Sequence, residues 1–358
     1  MKRALVLAGG GARGAYQVGM LRELVINQGL DFDIIRGVSV GALNASFLAQ
    51  APRAGNSLAN LQQKVAELHR LWTTEIHGND SVYKQRVGGP AGLVLGADSI
   101  FSLEPLQELL QKHLSLAALR SSGRNFAVGT VSLVSGDYQE WWPDDAHFIQ
   151  RIVASASIPV VFPPVTFKDQ REVLVDGGVR NITPLASALA AKPDEVYVLL
   201  TSRLQMEGEV FSENAVQKMP YEDWQDNLLG TRVSGLEVLK RTVEILTDEI
   251  YLDDLRSAMR WSSLAEAVQK LQTLAEAPGH LSDDAKNAVA DLAALLAKAN
   301  KRAVDLRVFA PTAWFGKENS ATEFSPQLIN AAIAHGEKVA GENVPWRWRH
   351  PTSTTGEA

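Results

Sequence analysis

The chain has 358 residues, enough to bury a substantial core in one large α/β domain or two smaller ones. Its 35 basic and 41 acidic side chains give a net charge of -6, which excludes a general positive field for nucleic acid or anionic lipid. The absence of cysteine excludes disulfides, a thiol nucleophile and cysteine metal sites, and it fits a reducing cytoplasm.

At the N-terminus, Lys2 and Arg3 precede a short apolar run, an order that secretory signals share. The run covers only Ala4–Ala8, whereas a signal needs roughly 7 or more apolar residues. We therefore predict a first strand here. No uncharged window approaches the roughly 18 residues of a membrane-spanning helix, so we expect a cytoplasmic protein that meets membranes at most peripherally.

The elements that follow alternate between strand and helix. Strands are predicted at 3–8, 32–39, 125–135, 137–142, 172–178, 195–202 and 304–312, and helices at 15–28, 40–50, 58–72, 103–114, 146–157, after Pro184 and at 325–340. Short connections between alternating strands and helices predict a parallel-rich central sheet with helices on both faces, in the α/β class.

The C-terminal third departs from this alternation. Residues 205–230 are polar and irregular, and 233–303 read as several helices with one apolar stripe. The stripe consists of Leu236, Leu239, Val243, Leu246 and Ile250, and we interpret it as core or helix packing. We expect one domain over 1–343 with a helical insertion at about 233–303, followed by a C-terminal arm and disordered tail at 344–358.

The strongest local motif is GVSVG at Gly37–Gly41, a G-x-S-x-G between a predicted strand and a predicted helix. A nucleophilic serine fits this junction because the sharp turn exposes its hydroxyl, and Gly37 and Gly41 avoid clashes where strand and helix cross. The amides that open the following helix favour developing negative charge. The pattern predicts Ser39 as a nucleophile.

A glycine-rich loop, GGGARG at Gly9–Gly14, follows the first strand. It also fits the G-x-G-x-x-G of dinucleotide-binding proteins, but that motif expects an acidic residue after the second strand, and here Asp31 and Asp33 precede it. The other interpretation is that unobstructed backbone N–H groups converge on the oxyanion of an acyl-transfer intermediate. Arg13 would then add positive charge or hold the loop in shape.

The sequence offers two kinds of base to activate such a serine, a histidine and an aspartate. A histidine after Asp176 would complete the hydrolase order Ser, Asp, His, but His280, His335 and His350 all lie in helical or tail segments. Asp176 ends a predicted strand and precedes Gly177 and Gly178, so its carboxylate is placed at the same sheet edge as Ser39.

Taken together, four stretches resemble the patatin-like phospholipase family. They are GGGARG at 9–14, GVSVG at 37–41, ASASIPVVFPPV at 154–165 and DGGVRNITP at 176–184, and the resemblance extends over roughly 1–340. It implies a patatin-like three-layer fold and a Ser–Asp dyad without histidine, with Ser39 as nucleophile and Asp176 as base. It also implies an oxyanion hole from the amides of Gly9, Gly10, Gly11, Ala12, Arg13 and Gly14, supported by Gly37, Gly41, Gly177 and Gly178.

The activity that this resemblance implies is hydrolysis of lipid acyl esters through an acyl-enzyme, as in a phospholipase A or lysophospholipase, without metal or other cofactor. We expect a lipid or acyl-ester substrate, no nucleic acid, and local membrane contact through aromatic residues such as Trp346 and Trp348. Homo-oligomerisation stays open. The alternatives are a catalytically silent binding protein of the same fold and a nucleotide-binding protein that uses the glycine loop.

Overall fold

The computed structural model describes residues 1–205, 217–218, 235–276, 281–299, 301–313, 321–342 and 346–347. Its strands are β1 (Arg3–Leu7), β2 (Ile34–Val38), β3 (Lys84–Gln85), β4 (Phe101–Ser102), β5 (Asn125–Ser132), β6 (Tyr138–Trp141), β7 (Val165–Phe167), β8 (Glu172–Asp176), β9 (Glu195–Leu199), β10 (Leu204–Gln205), β11 (Gln217–Lys218), β12 (Asp305–Phe309) and β13 (Trp346–Arg347). Its α-helices are α1 (Gly14–Leu21), α2 (Val40–Ala49), α3 (Ser57–Thr74), α4 (Gly89–Val94), α5 (Glu104–His113), α6 (Leu116–Ser121), α7 (Phe148–Ser155), α8 (Leu185–Ala190), α9 (Gly235–Glu276), α10 (Asp283–Lys298) and α11 (Pro326–Gly341).

The main sheet has the strand order β13-β12-β9-β1-β2-β5-β8-β7, and β6 also pairs with β5. The central strands β12, β9, β1, β2 and β5 are parallel, whereas β13, β6, β8 and β7 join as antiparallel strands. Val38 at the end of β2 opposes Gly129, and Asp176 at the end of β8 opposes Thr130. The middle of β5 therefore separates the ends of β2 and β8 at one level of the sheet.

Side chains of the central strands alternate between two hydrophobic cores, one on each side of the sheet. Leu5, Leu7 and Ile35 pack with α1, α2, α3, α5 and α11, while Val6 and Ile34 pack with α8 and α9. Helices thus cover both faces, and the expectation of a parallel-rich sheet in three layers with a helical C-terminal region is confirmed.

Differences from the predicted elements are local. The first predicted helix ends as regular α-helix at Leu21 and continues as π-helical turns over Arg22–Asn27. The predicted group of helices at 233–303 contains α9, one helix of 42 residues, and α10 of 16 residues. The hairpin of β3 and β4, with α4 at its tip, has no counterpart in the predicted elements.

Parts of the C-terminal expectations lie outside the described residues. The side chains of the apolar stripe from Leu236 to Ile250 are among them, as are Trp348 and the expected disordered tail. Trp346 is described only as part of β13, where its backbone pairs opposite Val308. None of the described helices combines the length and apolarity needed to cross a membrane.

Candidate active site

Ser39 occupies a strained turn between β2 and α2. Its backbone angles are φ 57 and ψ -132, a region that costs free energy for a residue with a side chain. A Cβ at Gly41 would collide with the Leu7 carbonyl oxygen, so the strand-to-helix crossing needs glycine there. The Ser39 amide donates to Ser155 Oγ at 3.0 Å, and that hydroxyl donates to the Gly129 carbonyl at 2.6 Å. These bonds fix the turn to β5.

Asp176 is buried at the end of β8. Its amide donates to the Ser157 carbonyl at 2.9 Å, and its Oδ1 accepts from the Gly178 amide at 2.7 Å. Burial raises the pKa of this carboxyl to about 7, and the Ser39 hydroxyl and the Gly178 amide offset that increase only in part. A carboxyl with such a pKa exchanges its proton near neutral pH.

The two side chains approach each other across the middle of β5. Although the Ser39 hydroxyl is close enough to lower the pKa of Asp176, the Asp176 Oδ2 has no hydrogen bond of normal geometry within the described residues. The two groups are therefore adjacent but not firmly bonded to each other. Loose contacts of this kind are common in unliganded active sites and tighten when substrate binds.

The glycine loop lies directly beside Ser39. A Cβ built on Gly9 would lie 3.0 Å from the Ser39 Cβ and 2.9 Å from Ile182 Cγ1. The Gly10 and Gly11 backbones have φ angles of 153 and 57, and a Cβ at Gly11 would meet the Ala321 carbonyl oxygen. The loop therefore needs glycine at these positions for both backbone conformation and space.

Most of the six amides predicted for the oxyanion hole already have acceptors. The Gly9 amide donates to the Ile182 carbonyl at 3.1 Å, the Ala12 amide to the Ala321 carbonyl at 2.7 Å and the Arg13 amide to the Gly10 carbonyl at 3.2 Å. The Gly14 amide donates within the short 3₁₀ turn that precedes α1. Within the described residues, the amides of Gly10 and Gly11 form no hydrogen bond, so these two remain available as donors.

Arg13 and Thr201 hold the loop in this shape. Arg13 Nε donates to the Gly10 carbonyl at 3.2 Å, and its Nη1 lies 3.4 Å from Ser202 Oγ. The Thr201 hydroxyl donates to the Gly9 carbonyl. Since these contacts hold the carbonyls of Gly9 and Gly10, they support the interpretation of Arg13 as a residue that shapes the loop.

An apolar cavity begins at Ser39 and Gly11. Its empty volume is about 880 Å³, including its opening to solvent, and we call it the Ser39 cavity. Its walls come from α2, α3, α5, the 156–162 segment and the 321–324 segment, and include Val40, Leu43, Phe47, Leu68, Leu71, Trp72, Ile76, Leu103, Leu106, Leu110, Ile158, Phe162 and Phe324. Asn44, a polar wall residue, is bonded to Trp72 Nε1 at 3.0 Å and to Gln17 Oε1 at 3.0 Å, so it leaves no free polar group to repel an aliphatic chain.

The described histidines do not bond to Ser39 or Asp176. His113 lies at the cavity wall but pairs with Glu75 at 3.0 Å, and His147 lies 3.4 Å from Asp169. His335 accepts from the Thr312 amide at 3.1 Å and contacts the Tyr16 ring edge-on. His280 and His350 lie outside the described residues.

Four residues around this site have no role in the sequence-based interpretation. Ser155 fixes the Ser39 turn, Thr201 fixes the Gly9 carbonyl, and Ile182 and Ala321 accept loop amides. Ser155 lies in the ASASIPVV stretch, which contributes to the family resemblance but does not by itself indicate a role for this serine. The acceptors at 182 and 321 are backbone carbonyls, which no side-chain pattern identifies.

Comparison with known proteins identifies the family. The family model for patatin-like phospholipase matches residues 5–189, more than half of the chain, so the chain belongs to the patatin-like phospholipase family, as the motifs predicted. Patatin-like phospholipase domain-containing protein 7 from Mus musculus is 26% identical over 191 residues, a match covering 53% of this chain and 13% of that protein. An uncharacterized NTE family protein from Mycobacterium tuberculosis is 27% identical over 197 residues, covering 53% of this chain and 28% of the relative.

Two solved structures are similar at low sequence identity. VipD from Legionella pneumophila has a TM-score of 0.39 and 14% identity, with coverage of 96% of this chain and 66% of that chain. ExoU, solved as a heterodimeric complex with SpcU from the type III secretion system of Pseudomonas aeruginosa, has a TM-score of 0.30 and 14% identity, with coverage of 83% and 66%.

Proposed function

We propose that this protein is a serine acyl hydrolase that cleaves acyl esters of lipids, with Ser39 as nucleophile and Asp176 as general base. The proposal depends above all on one observation: a serine on a strained turn and a buried carboxyl with a pKa of about 7 are adjacent at the start of an apolar cavity. A strained nucleophile turn and a base near neutral pKa are what acyl transfer needs. Family membership supports a lipid substrate.

In the first half-reaction, Ser39 Oγ attacks the ester carbonyl carbon while its proton passes to the Asp176 carboxylate. The negative charge that develops on the carbonyl oxygen is stabilised by the free amides of Gly10 and Gly11, aided by the N-terminus of α2. When the tetrahedral intermediate collapses, the bond to the leaving alkoxide breaks and the Asp176 carboxyl returns its proton to that oxygen. The acyl group remains on Ser39.

In the second half-reaction, a water molecule takes the place of the alcohol. Asp176 accepts a proton from the water as it attacks the acyl carbon, and the same pair of amides stabilises the new oxyanion. Collapse breaks the bond to Ser39 Oγ, and Asp176 returns the proton to the serine. The enzyme is restored and the fatty acid leaves.

The Ser39 cavity accommodates the acyl chain in this proposal. Along α2, the lining extends from Val40 to Phe47, seven helical steps and a length of about 10 Å at 1.5 Å per residue. A chain with carbon–carbon bonds of about 1.5 Å advances roughly 1.25 Å per carbon, so about eight carbons fill this length. We therefore expect a preference for medium-length acyl chains.

The hydrolase unit that we propose extends over residues 1–343. After α9 and α10, β12 returns to the main sheet beside β9, and α11 packs against α1 next to the site. Gly11 and Ala12 contact the 321 segment that precedes α11, so the C-terminal part of this unit helps to shape the glycine loop.

A fluorophosphonate probe tests the proposal directly. The native protein should be phosphonylated at Ser39, as peptide mapping would show, and heat-denatured protein should not react, since the activation comes from the folded neighbours. Ser39→Ala should abolish labelling. Ser46→Ala is a matched control because Ser46 is another buried serine, on α2, and its hydroxyl donates to the Ala42 carbonyl and to no other group in the described part of the chain.

Labelling of folded Ser39→Ala at another serine would contradict the assignment of the nucleophile. Folded native protein that neither reacts with the probe nor hydrolyses p-nitrophenyl butyrate would favour the silent binding protein instead. Tight binding of NADH or ATP by that inactive protein would favour the nucleotide-binding alternative.

A further inference from the structure

A short excursion between α3 and α5 carries the most exposed large apolar side chains in the described part of the chain. β3 and β4 form its antiparallel stem, and α4 lies at its tip. The Val87 side chain is 103% exposed and Leu95 is 86% exposed. Large aliphatic groups left fully in water on a projecting segment are typical of a contact surface.

The tip of this excursion, residues 87–97, reads VGGPAGLVLGA and contains no charged or hydrogen-bonding side chain. Loop tips in water ordinarily carry polar residues, because these solvate the segment and form its turns. Polar residues resume where the tip ends: Arg86 forms an ion pair with Asp98 and donates to Ser99 Oγ at 2.8 Å. This pair neutralises the base of the tip, so the tip is apolar and uncharged.

The stem of the excursion is fixed to the wall of the Ser39 cavity. Val82 and Leu103, where the chain leaves and rejoins the domain, both line that cavity. The Phe101 amide donates to the Val161 carbonyl at 3.0 Å, and the Tyr83 and Phe101 ring centroids are 4.8 Å apart. The tip therefore projects on a well-packed stem from the same wall that contacts the proposed acyl chain.

We propose that the tip at 87–97 inserts into a lipid surface and holds the Ser39 cavity against it. A lipid surface fits better than a charged partner, since the tip offers only aliphatic groups and glycine, and the stem connects it to an apolar cavity. With a net charge of -6 on the chain and Arg86 paired to Asp98, binding is driven by apolar burial and needs no anionic lipid. This contact differs from the one expected through Trp346 and Trp348.

The lipid contact rests on the proposed function in one respect only, which is that the Ser39 cavity receives the acyl chain. Binding to lipid requires no turnover, so it is measured on Ser39→Ala with the full chain. Because the chain has no cysteine, one introduced cysteine can carry an environment-sensitive fluorophore such as NBD. The probes are vesicles of phosphatidylcholine, with and without added phosphatidylglycerol.

NBD on Leu95→Cys should shift to the blue when phosphatidylcholine vesicles are added, and brominated acyl chains should quench it. NBD on Leu274→Cys, an exposed position on α9, should show neither effect. The double variant Val87→Ser/Leu95→Ser should lose roughly tenfold or more in vesicle affinity, because two aliphatic side chains no longer enter the hydrocarbon. The matched control Leu274→Ser/Leu295→Ser, which replaces two exposed leucines on α9 and α10, should bind as before.

The proposal is overturned if NBD at position 95 stays in water on vesicles, or if both double variants bind equally well. It is also overturned if the protein without lipid is a dimer that Val87→Ser/Leu95→Ser dissociates, since a second copy would then cover the tip. Failure of catalysis is distinguishable, because hydrolysis of soluble p-nitrophenyl butyrate by Val87→Ser/Leu95→Ser in a wild-type Ser39 background should be unchanged. If the wild-type protein did not hydrolyse p-nitrophenyl butyrate, the proposed reaction would be contradicted. The vesicle-binding measurements on Ser39→Ala would still test the lipid contact.

Discussion

Two cavities lie on opposite faces of the central sheet and differ in chemistry. The Ser39 cavity has an empty volume of about 880 Å³ and almost entirely apolar walls. The second, which we call the Asp254 cavity, has an empty volume of about 930 Å³ between α8, α9 and β12. Its walls include the polar side chains Asp254, Ser257, Ser262, Lys301 and Arg302. Volume alone does not separate a candidate active site from a gap between packed layers.

A carboxyl whose pKa is raised to about 7 lines the Asp254 cavity, and another, Asp176, lies beside Ser39 at the start of the Ser39 cavity. For Asp176 the cause is burial, opposed by the Ser39 hydroxyl and the Gly178 amide. For Asp254 burial also comes first, and the neighbouring charge of Asp253 adds to it. In both carboxyls Oδ2 is buried without a hydrogen bond to the described residues. The two groups are thus alike in their raised pKa, although Asp176 is buried and Asp254 is only half-buried.

The difference lies in what surrounds each carboxyl. Asp176 faces a serine on a strained turn and a loop with two free amides, which together suit proton transfer to and from an attacking hydroxyl. Asp254 has a like charge beside it and lies among packed helices. A shifted pKa marks a candidate functional group, but the neighbouring nucleophile and donors decide whether the group can act.

The largest expected effect that tests this contrast is loss of ester hydrolysis in Asp176→Asn. The amide cannot accept the Ser39 proton, so kcat/KM for p-nitrophenyl butyrate should fall by about 10² or more, while Asp254→Asn should stay within twofold of wild type. Initial rates with matched protein concentrations measure both. The side-chain carbonyl oxygen that Asp176→Asn retains can still accept from the Gly178 amide, so the variant should fold.

The pH dependence sharpens the same prediction. Asp176 must be ionised to act as base, so kcat/KM of the wild type should rise about tenfold per unit below pH 7 and level off above it. Residual activity of Asp176→Asn should lack this limb. The seven variants with one histidine replaced by alanine test whether a histidine is the base. If one of them lost as much kcat/KM as Ser39→Ala, the Ser–Asp dyad would be contradicted.

An intermediate effect is expected from filling the Ser39 cavity. Leu43 lines it in the middle of the α2 wall, and Leu43→Trp should obstruct long acyl chains while leaving room beside Ser39. The ratio of kcat/KM for the p-nitrophenyl octanoate ester to that for the acetate ester should fall by roughly tenfold, the scale of a few methylene groups in an apolar site.

Leu189→Trp provides the control for that experiment, because Leu189 lines the Asp254 cavity. It makes the same substitution in the cavity on the opposite face of the sheet, and the octanoate-to-acetate ratio should not change. An equal fall in both variants would mean that the substitution disturbs the sheet, and a fall in Leu189→Trp alone would assign the acyl chain to the wrong face.

The residues of the candidate site follow from local rules, which explains why the sequence predicted them. Ser39 between Gly37 and Gly41 requires a tight turn at a strand end, and parallel strands bring their carboxyl ends to one edge of a sheet. Motifs of this kind constrain backbone geometry within a few residues. Four of the six amides predicted for the oxyanion hole have acceptors in the structure, and two of these acceptors are carbonyls far along the chain, at Ile182 and Ala321.

Features that depend on distant packing could not be predicted in this way. The Ser39 cavity is enclosed by three helices and by the 321–324 segment, and no single stretch of sequence carries that arrangement. The continuous α9 did have a local signal. Residues 236–276 contain neither glycine nor proline, so nothing in the chain interrupts a helix there, and the apolar stripe alone did not show its length.

The smallest expected effect concerns stability, where the contrast between the carboxyls disappears. The pKa of Asp254 is about 7 when folded and near 3.8 otherwise, so between these values the folded state binds more protons. The free energy of unfolding of the wild type should therefore fall as pH rises through this window.

Asp254→Asn cannot ionise, so its free energy of unfolding should gain on the order of 1 kcal/mol relative to wild type between pH 4 and pH 8, after allowance for water in the cavity. Asp176→Asn should gain stability over the same window, for the same reason. Urea unfolding of both variants at the two pH values measures the differences. If Asp254→Asn gained nothing, water or a counter-ion would already solvate the half-buried Asp254 carboxylate in its cavity, and only the fully buried Asp176 would carry a cost of ionisation.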